Sequence, residues 1–481
     1  MALVSDNQII NVLRSYNPWW QSPNLVKVLS KGYKRLAFNQ TLKIIEHPSI
    51  RRFAVLSGPR RVGKTTVLYQ LIDHLLEQGV HSQNVLYVSF DNPFLKFSSV
   101  EHVLELYTQL QPITGTMYLF LDEIQYTQDW ELWLKVIYDS QKDIKLVATG
   151  SASPLIEKGA SDSGTGRWKV LKVPTLSFYE YVHLLNLETP NIKKDLNIDS
   201  LYSMSGNELS NLCYQFKSLI PHFNRYLKIG GFPELALSSD DLYAQRMLRE
   251  DVVDKVIKRD VLSLFNIRSP ILMEKLFLYL CLNCSQLFSA NTVAKELENT
   301  SVATIDSYIS ALEKSNLIYV VSPTNVGSKS ALKGKPKIYI SDAAIRNTVL
   351  MIDDLQADEK ELGLTVETAV YKHLYSHFQD TGANLGYFRE DKGQQKEVDA
   401  VVRFPKDEFL IEVKYRNDSK LTTKDAIVTL CDEDNRQISK AFVLTKNLDD
   451  CGAIDKRTNI KIQKIPTLVF LYVLGLMENF S

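Results

Sequence analysis

Two short stretches of the chain place side chains where they do chemistry. Gly58 to Thr65, GPRRVGKT, holds two glycines five positions apart followed by a lysine and a threonine. At this spacing backbone N–H groups wrap phosphates, the lysine reaches the β and γ phosphates, and the hydroxyl ligates Mg²⁺. The predicted nucleotide contacts are Gly58, Pro59, Arg60, Arg61, Val62, Gly63, Lys64, Thr65 and Thr66, with ATP and Mg²⁺ as ligands. The second stretch, FLIEVKYR (residues 409–416), sets Glu412 and Lys414 on alternate positions of an apolar, β-prone run, with Asp399 a short distance upstream. Alternate positions of a strand share a face. Two carboxylates and a lysine on one face suit a hard divalent cation and a water to be activated.

The first motif needs a strand before it and a helix after it. FAVLSG (53–58) is a short apolar run, and the residues that follow the motif are apolar at helical spacing up to a glycine. Further runs at 84–91, 117–123, 145–151 and 168–173 are apolar on both faces, as the strands of a helix-covered parallel sheet are. The run at 117–123 ends in Asp122 and Glu123, at the strand end where such sheets bind ligands. Asp122 is expected to hold Mg²⁺ and Glu123 to act as general base toward water. At the end of the next strand, Thr149 and Ser151 are alternative γ-phosphate sensors, with turn formation the competing reading.

The second motif reads as a hairpin. KEVDAVVRF and EFLIEVKYR flank the turn PKDE, and closing the hairpin there pairs Phe404 with Phe409 and sets Asp399 opposite Lys414 and Val401 opposite Glu412. Asp399, Glu412 and Lys414 then converge in the D-(x)n-E-x-K pattern of a restriction-endonuclease-like site, expected to bind Mg²⁺ or Mn²⁺ through the carboxylates, with a buried acid–lysine pair kept for structure the competing reading. Glu367, on the amphipathic run VETAVYKHLYSHF, resembles the additional acid of that fold.

Between these motifs, residues 176–265 are helical by pattern and predict a lid and connector. Residues 289–323 give a short helix, a turn at 299–301, a longer helix over 302–314 and a β-like exit, the rhythm of a winged helix-turn-helix. The stretch SKSALKGKPK adds Lys329, Lys333, Lys335 and Lys337 as candidate phosphate contacts. Docking of another protein is the competing reading of this region.

Bulk properties set the outer limits. With 481 residues, 45% hydrophobic and 23% charged, the chain buries ample core and fits about three domains of ordinary size. Lys plus Arg equals Asp plus Glu at 56 each, so no global field draws a polyanion, and any DNA surface is local. The N-terminus has no basic segment followed by an apolar core. The apolar run IPTLVFLYVLGL is shorter than the roughly 20 residues a bilayer span needs. A cytoplasmic protein without membrane contact is expected. Five cysteines without framework spacing fit a reducing compartment, and Cys281 and Cys284 read as core.

The words YNPWW, SGPRRVGKTT, LFLDEIQ, WELWLKVIYD, ATGSAS, PTLSFYEY and GGFPE, in this order, resemble the AAA+ ATPases of bacteria and archaea that carry a C-terminal conserved domain of unknown function. Thr175 in PTLSF departs from that family's pattern without touching a catalytic position. The resemblance implies an α/β P-loop AAA+ core with a helical lid, a winged helix-turn-helix and a PD-(D/E)xK nuclease-like α/β domain. The expected boundaries are 1–175, 176–265, 266–340 and 341–481. It also implies a homo-oligomer in which Arg167, just before the fifth strand, acts as an arginine finger on a neighbour's nucleotide, with a plain surface arginine the competing reading. Three functions fit: an ATPase that processes DNA with a Mg²⁺-dependent nuclease-like site, a DNA-remodelling ATPase whose nuclease fold is inactive, and a nucleotide-dependent switch.

Overall fold

All five apolar runs of the first third become strands: β1 Phe53–Ser57, β2 Val85–Ser89, β3 Met117–Asp122, β4 Ile144–Gly150 and β5 Trp168–Lys172. They form one parallel sheet in the order β2-β3-β4-β1-β5, so β4 stands between the strand that leads into the phosphate loop and the strand that ends in the acids. The computed structural model describes residues 4–480 apart from 31, 97, 128, 151–165, 263, 264, 266, 298, 299, 325–333, 380, 391–395, 434–436 and 455–457. The chain divides into two units, Met1–Pro174 with Lys314–Asn316, and Thr175–Glu313 with Leu317–Ser481.

In the first unit, a glycine is required where β1 turns into the loop. A Cβ on Gly58 would stand 2.1 Å from the Val173 carbonyl oxygen. That close approach lets the Val173 N–H donate to Ser57 O at 2.7 Å and fixes β5 against β1. At the opposite edge, β2 is closed by the YNPWW segment. The Asn17 side chain accepts from the Tyr87 N–H at 2.6 Å and donates to the Tyr87 carbonyl at 2.9 Å, copying the bonding of a neighbouring strand. The indole N–H groups of Trp19 and Trp20 both donate to Val85 O.

The second unit holds a six-stranded sheet in the order β12-β13-β11-β10-β9-β8, built from β8 Asn384–Arg389, β9 Glu397–Phe404, β10 Asp407–Lys414, β11 Ile438–Thr445, β12 Gly452–Ala453 and β13 Ile462–Pro466. Strands β8, β9 and β10 run antiparallel, while β10, β11 and β13 run parallel. Helices Glu359–Phe378 and Thr467–Phe480 cover one face and Ala426–Asp432 the other. The helices expected as a lid share the first of these cores. Phe178, Tyr181 and Phe223 cluster with Tyr472 and Val473 of the terminal helix.

PTLSF and GGFPE meet in this core. Thr175 donates its hydroxyl to Asp342 Oδ2 at 2.6 Å, the Gly231 N–H donates to the same oxygen at 3.1 Å, and the Leu176 N–H donates to Gly231 O at 2.7 Å. The Phe178 N–H donates to His373 Nε2 at 2.9 Å, so Nδ1 carries the proton toward Ala369 O. Burial keeps that imidazole neutral, its pKa well below the ordinary value.

Between these parts lie helices Pro270–Leu282, Ala290–Glu296 and Val302–Lys314, then the antiparallel pair β6 Ile318–Val321 and β7 Lys337–Ile340. The expected alternation of helix, helix and β exit is present. Lys329 and Lys333 lie outside the described residues. Lys337 is buried rather than exposed, and it faces carboxylates rather than solvent. Cys281 and Cys284 are buried thiols, as read. No helix among the described residues is long and apolar enough to cross a membrane.

Replacing Asn17 with alanine leaves a buried N–H and a buried carbonyl of β2 without their partner. Asn17→Ala should lower the stability of the first unit by about 2–3 kcal/mol, measured by urea denaturation against wild type. A loss below about 0.5 kcal/mol would show that the Asn17 clasp does not hold the edge.

Candidate functional site

The phosphate loop turns through two left-handed residues, Arg61 at φ 62° and Gly63 at φ 92°, before the helix Lys64–Glu77 begins. This conformation points successive N–H groups into one concavity at a helix N-terminus, where the helix dipole adds to their attraction for anions. The N-terminal extension braces the loop: Arg35 donates to Val62 O at 2.6 Å. Lys64 is buried, and its ammonium donates to the carbonyls of Gly58 and Pro59 at 2.8 Å each. Arg60 reaches the Tyr126 hydroxyl at 2.6 Å.

Thr65 and Asp122 stand together. The threonine hydroxyl donates to Asp122 Oδ2 at 2.8 Å, which places a hydroxyl and a carboxylate side by side at the strand ends, the hard-oxygen donor set that Mg²⁺ requires. Asp122 also accepts from the Tyr87 hydroxyl at 2.9 Å and from the Thr149 hydroxyl. Burial and then the neighbouring Glu123 push the Asp122 carboxyl up to about 6, while the three hydroxyl donors hold it down. Glu123 occupies a left-handed turn at φ 51°, its N–H donating to Thr149 Oγ1 at 3.0 Å and its carboxylate accepting from the Gln125 amide. Thr149, one of the two candidate phosphate sensors, therefore ties Asp122 and Glu123 together. Ser151 lies outside the described residues.

Arg167 forms a two-point pair with Asp139, Nε to Oδ1 at 2.9 Å and Nη2 to Oδ2 at 3.0 Å. It precedes Trp168, which pairs with Phe53 at the start of β1, whereas the phosphate loop leaves the end of β1 after Ser57. Strand length separates the two on the order of 15 Å. Arg167 thus lies at the end of the strands opposite its own chain's phosphate loop.

In the second unit, the hairpin register differs from the expected one by two residues. Asp407 pairs with Phe404 and Ile411 with Ala400, so the next position in register sets Asp399 beside Glu412, not beside Lys414. The cause is a tight turn at 405–406, with Asp407 and Glu408 already in β10 instead of in the loop. A slip of two preserves the face, and Asp399, Glu412 and Lys414 still share it. Asp399 Oδ2 accepts from the Val413 N–H at 2.8 Å, and Lys414 pairs with Glu412 at 2.6 Å and with Asp425 at 3.5 Å.

Glu367 joins the group from the helix Glu359–Phe378. It accepts from the Tyr339 hydroxyl at 2.7 Å and lies 3.6 Å from the Lys337 ammonium, which also pairs with Glu397. Burial, then the charge of Asp399, pushes Glu412 up to about 8 and Glu367 up to about 7, and burial raises Asp399 as well. Glu412 Oε2 is buried without a hydrogen-bond partner, an oxygen suited to a cation. Among the described residues, no three His, Cys, Asp or Glu groups are gathered closely enough to hold a metal ion.

Lys337, Tyr339 and Glu397 belong to this site but were not expected in it. A signal for the first two was present: in KIYI, lysine and tyrosine alternate with isoleucine, which puts Lys337 and Tyr339 on one face of β7.

Residues 51–182 match an AAA domain family, 220–356 a domain of unknown function (DUF8612), and 362–466 a second domain of unknown function (DUF4143). The chain is 26% identical to an uncharacterized protein of Haemophilus influenzae over 314 residues, covering 64% of this chain and 72% of the relative. An uncharacterized protein of Methanocaldococcus jannaschii is 26% identical over 387 residues, 79% and 78% of the two chains. Among solved structures, the Aeropyrum pernix ORC1 protein in complex with DNA is 16% identical, with a TM-score of 0.30 over 69% of this chain and 96% of that one. The Thermotoga maritima RuvB Holliday junction branch migration motor is 17% identical, with a TM-score of 0.27 over 62% and 91%.

The raised carboxylates of the second unit make its stability depend on pH. Glu367 and Glu412 have an ordinary value of 4.5, and in the folded unit they titrate near 7 and 8. Between these values the folded state holds protons that the unfolded chain has released. The stabilisation is therefore full below about 4.5 and is lost as the pH rises through about 8. Glu412→Gln should remove part of that fall: the variant should match wild type at pH 5 and exceed it at pH 8.5 in denaturant midpoint. A variant less stable than wild type at pH 8.5 would contradict the burial argument.

Proposed function

We propose that the first unit is a Mg²⁺-dependent ATPase. The observation that carries this reading is the Thr65–Asp122 pair beside the N-terminus of the helix that follows the phosphate loop. Lys64 leaves the carbonyls of Gly58 and Pro59 for the β and γ phosphates. Loop N–H groups from Gly58 to Thr66 hold the phosphate chain, and Thr65 and Asp122 hold the metal. Bound Mg²⁺ supplies charge neutralisation at the phosphates. Glu123 leaves Gln125 to orient and deprotonate the attacking water, while Thr149 keeps Asp122 and Glu123 in register. In this reading Arg167, at the end of the strands away from its own phosphate loop, acts on nucleotide in trans, in a homo-oligomer, after release from Asp139.

The second unit, in the same proposal, cleaves or binds DNA at the face of Asp399, Glu412 and Lys414. Support comes from the shared face and from the buried, unpartnered oxygen of Glu412. Asp399 and Glu412 are the residues that would hold Mg²⁺ or Mn²⁺, Glu367 a further candidate, and Lys414 positions water or steadies developing phosphate charge. The segment Pro270–Ile340, with its helices and β6–β7 pair, is the proposed winged helix and the DNA contact.

Lys64→Ala should abolish ATP hydrolysis and weaken nucleotide binding, whereas Glu123→Gln should bind ATP and turn over at least about 100-fold more slowly, both read by phosphate release and by binding of a fluorescent ATP analogue. Ordinary turnover in either variant would overturn the ATPase. Arg167→Ala mixed with Lys64→Ala should regain partial hydrolysis. No rescue from well-assembled mixtures would contradict action in trans.

Asp399→Ala, Glu412→Ala and Lys414→Ala should each remove metal-dependent cutting from a panel of single-stranded, duplex and branched DNA and leave ATP hydrolysis intact. Cutting that survives all three would retire the nuclease and leave DNA binding or switching.

A further inference from the structure

One cation in the carboxylate cluster comes from outside the hairpin that supplies the acids. Lys337 opens β7, whose partner in the small antiparallel sheet is β6, with Val321 opposite Lys337 and an isolated bridge to Leu287 on its other side. The side chain is almost fully buried, and its ammonium pairs with Glu397 and lies 3.6 Å from Glu367 Oε1. Tyr339, two residues along β7, donates to the same Glu367 oxygen at 2.7 Å. Both inward side chains of this strand therefore converge on the acid that would complete a three-carboxylate set with Asp399 and Glu412.

The small sheet is fastened to the edge of the larger one. The Thr324 N–H donates to Tyr387 O at 2.8 Å, Pro323 bridges to Tyr387, and a Cβ on Gly386 would stand 2.4 Å from Ser322 O. The position of Lys337 is thus set by the docking of β6 and β7 on β8. Burying an ammonium costs several kcal/mol unless carboxylates surround it, and here they do. In the same cluster Glu412 Oε2 is buried without a hydrogen-bond partner.

We propose that Lys337 is the resident cation of this cluster and closes it to divalent metal, so that the site takes a metal only when β7 withdraws the ammonium. The inference rests on the nuclease-like reading of Asp399 and Glu412, and it adds the control of that site by a strand of the preceding segment. Glu367 Oε1, 3.6 Å from the ammonium, is an oxygen the metal would also use, and a cation held there opposes a second one entering the same desolvated cluster. Raised proton affinity at Lys337 agrees with this placement, the charges of Glu367, Asp399 and Glu397 outweighing burial.

The test is Mn²⁺ binding to nucleotide-free full-length protein, read by the electron paramagnetic resonance of free Mn²⁺ and by the shift in melting temperature that Mn²⁺ produces. Lys337→Met should bind Mn²⁺ at least about tenfold more tightly than wild type and be stabilised by it, and the gain should vanish when Asp399→Asn is added. Should Lys337→Met fold poorly, Lys337→Met with Glu397→Gln removes one charge of each sign, leaves Glu367, Asp399 and Glu412 in place, and should show the same gain. Wild type that already binds Mn²⁺ as tightly as the variants, in an Asp399-dependent way, would overturn the closure while leaving the metal site standing. Failure of every form to bind Mn²⁺ through Asp399 would overturn both.

Discussion

A carboxylate taken out of water must be given donors or cations, and much of this chain's architecture serves that requirement. Asp122 is kept as an anion by three hydroxyls drawn from β2, β4 and the helix after the phosphate loop. The acids of the second unit are served by two lysines, a tyrosine and a backbone N–H. The two solutions differ in kind. Hydroxyls offer dipoles that a metal can displace cheaply, whereas an ion pair in a desolvated setting must be broken. The hydroxyl donors of Asp122 are therefore the more readily displaced, and the acids near Lys337 are the more firmly held.

Legibility in the sequence followed how local each determinant is. The phosphate loop, its strand and its helix are contiguous, and their residues state their own conformation through glycine spacing and apolar periodicity; β1 to β5 stand within a residue or two of where the apolar runs put them. The hairpin was legible as to face but not register, because alternation fixes parity while the turn fixes pairing, and Pro405–Lys406 closes more tightly than PKDE suggests. Lys337 was misplaced for a different reason. Its neighbours in sequence are lysines and glycines, which read as solvated, while its partners Glu367 and Glu397 are far along the chain. No local pattern carries such a contact.

Several of the sequence words that carry the family resemblance hold the fold rather than the chemistry. PTLSF and GGFPE meet on Asp342, and the threonine that departs from the pattern supplies one of the two donors to its Oδ2. A buried acid with a hydroxyl and an amide donor satisfies its oxygens as well as a site acid does. Motif strength alone does not separate the two roles.

The clasp of YNPWW on β2 has a consequence for the solubility of the chain. An uncovered outer strand presents a row of amide donors and acceptors on which another polypeptide can align, and β2, VLYVS, is largely apolar, the kind of strand that recruits such additions. Asn17 fills both groups of Tyr87, and the two indoles fill Val85 O, so the polar comb is occupied from within the same molecule. Residues 17–20 thus act as a fitted cover that keeps one sheet from becoming the seed of a larger one.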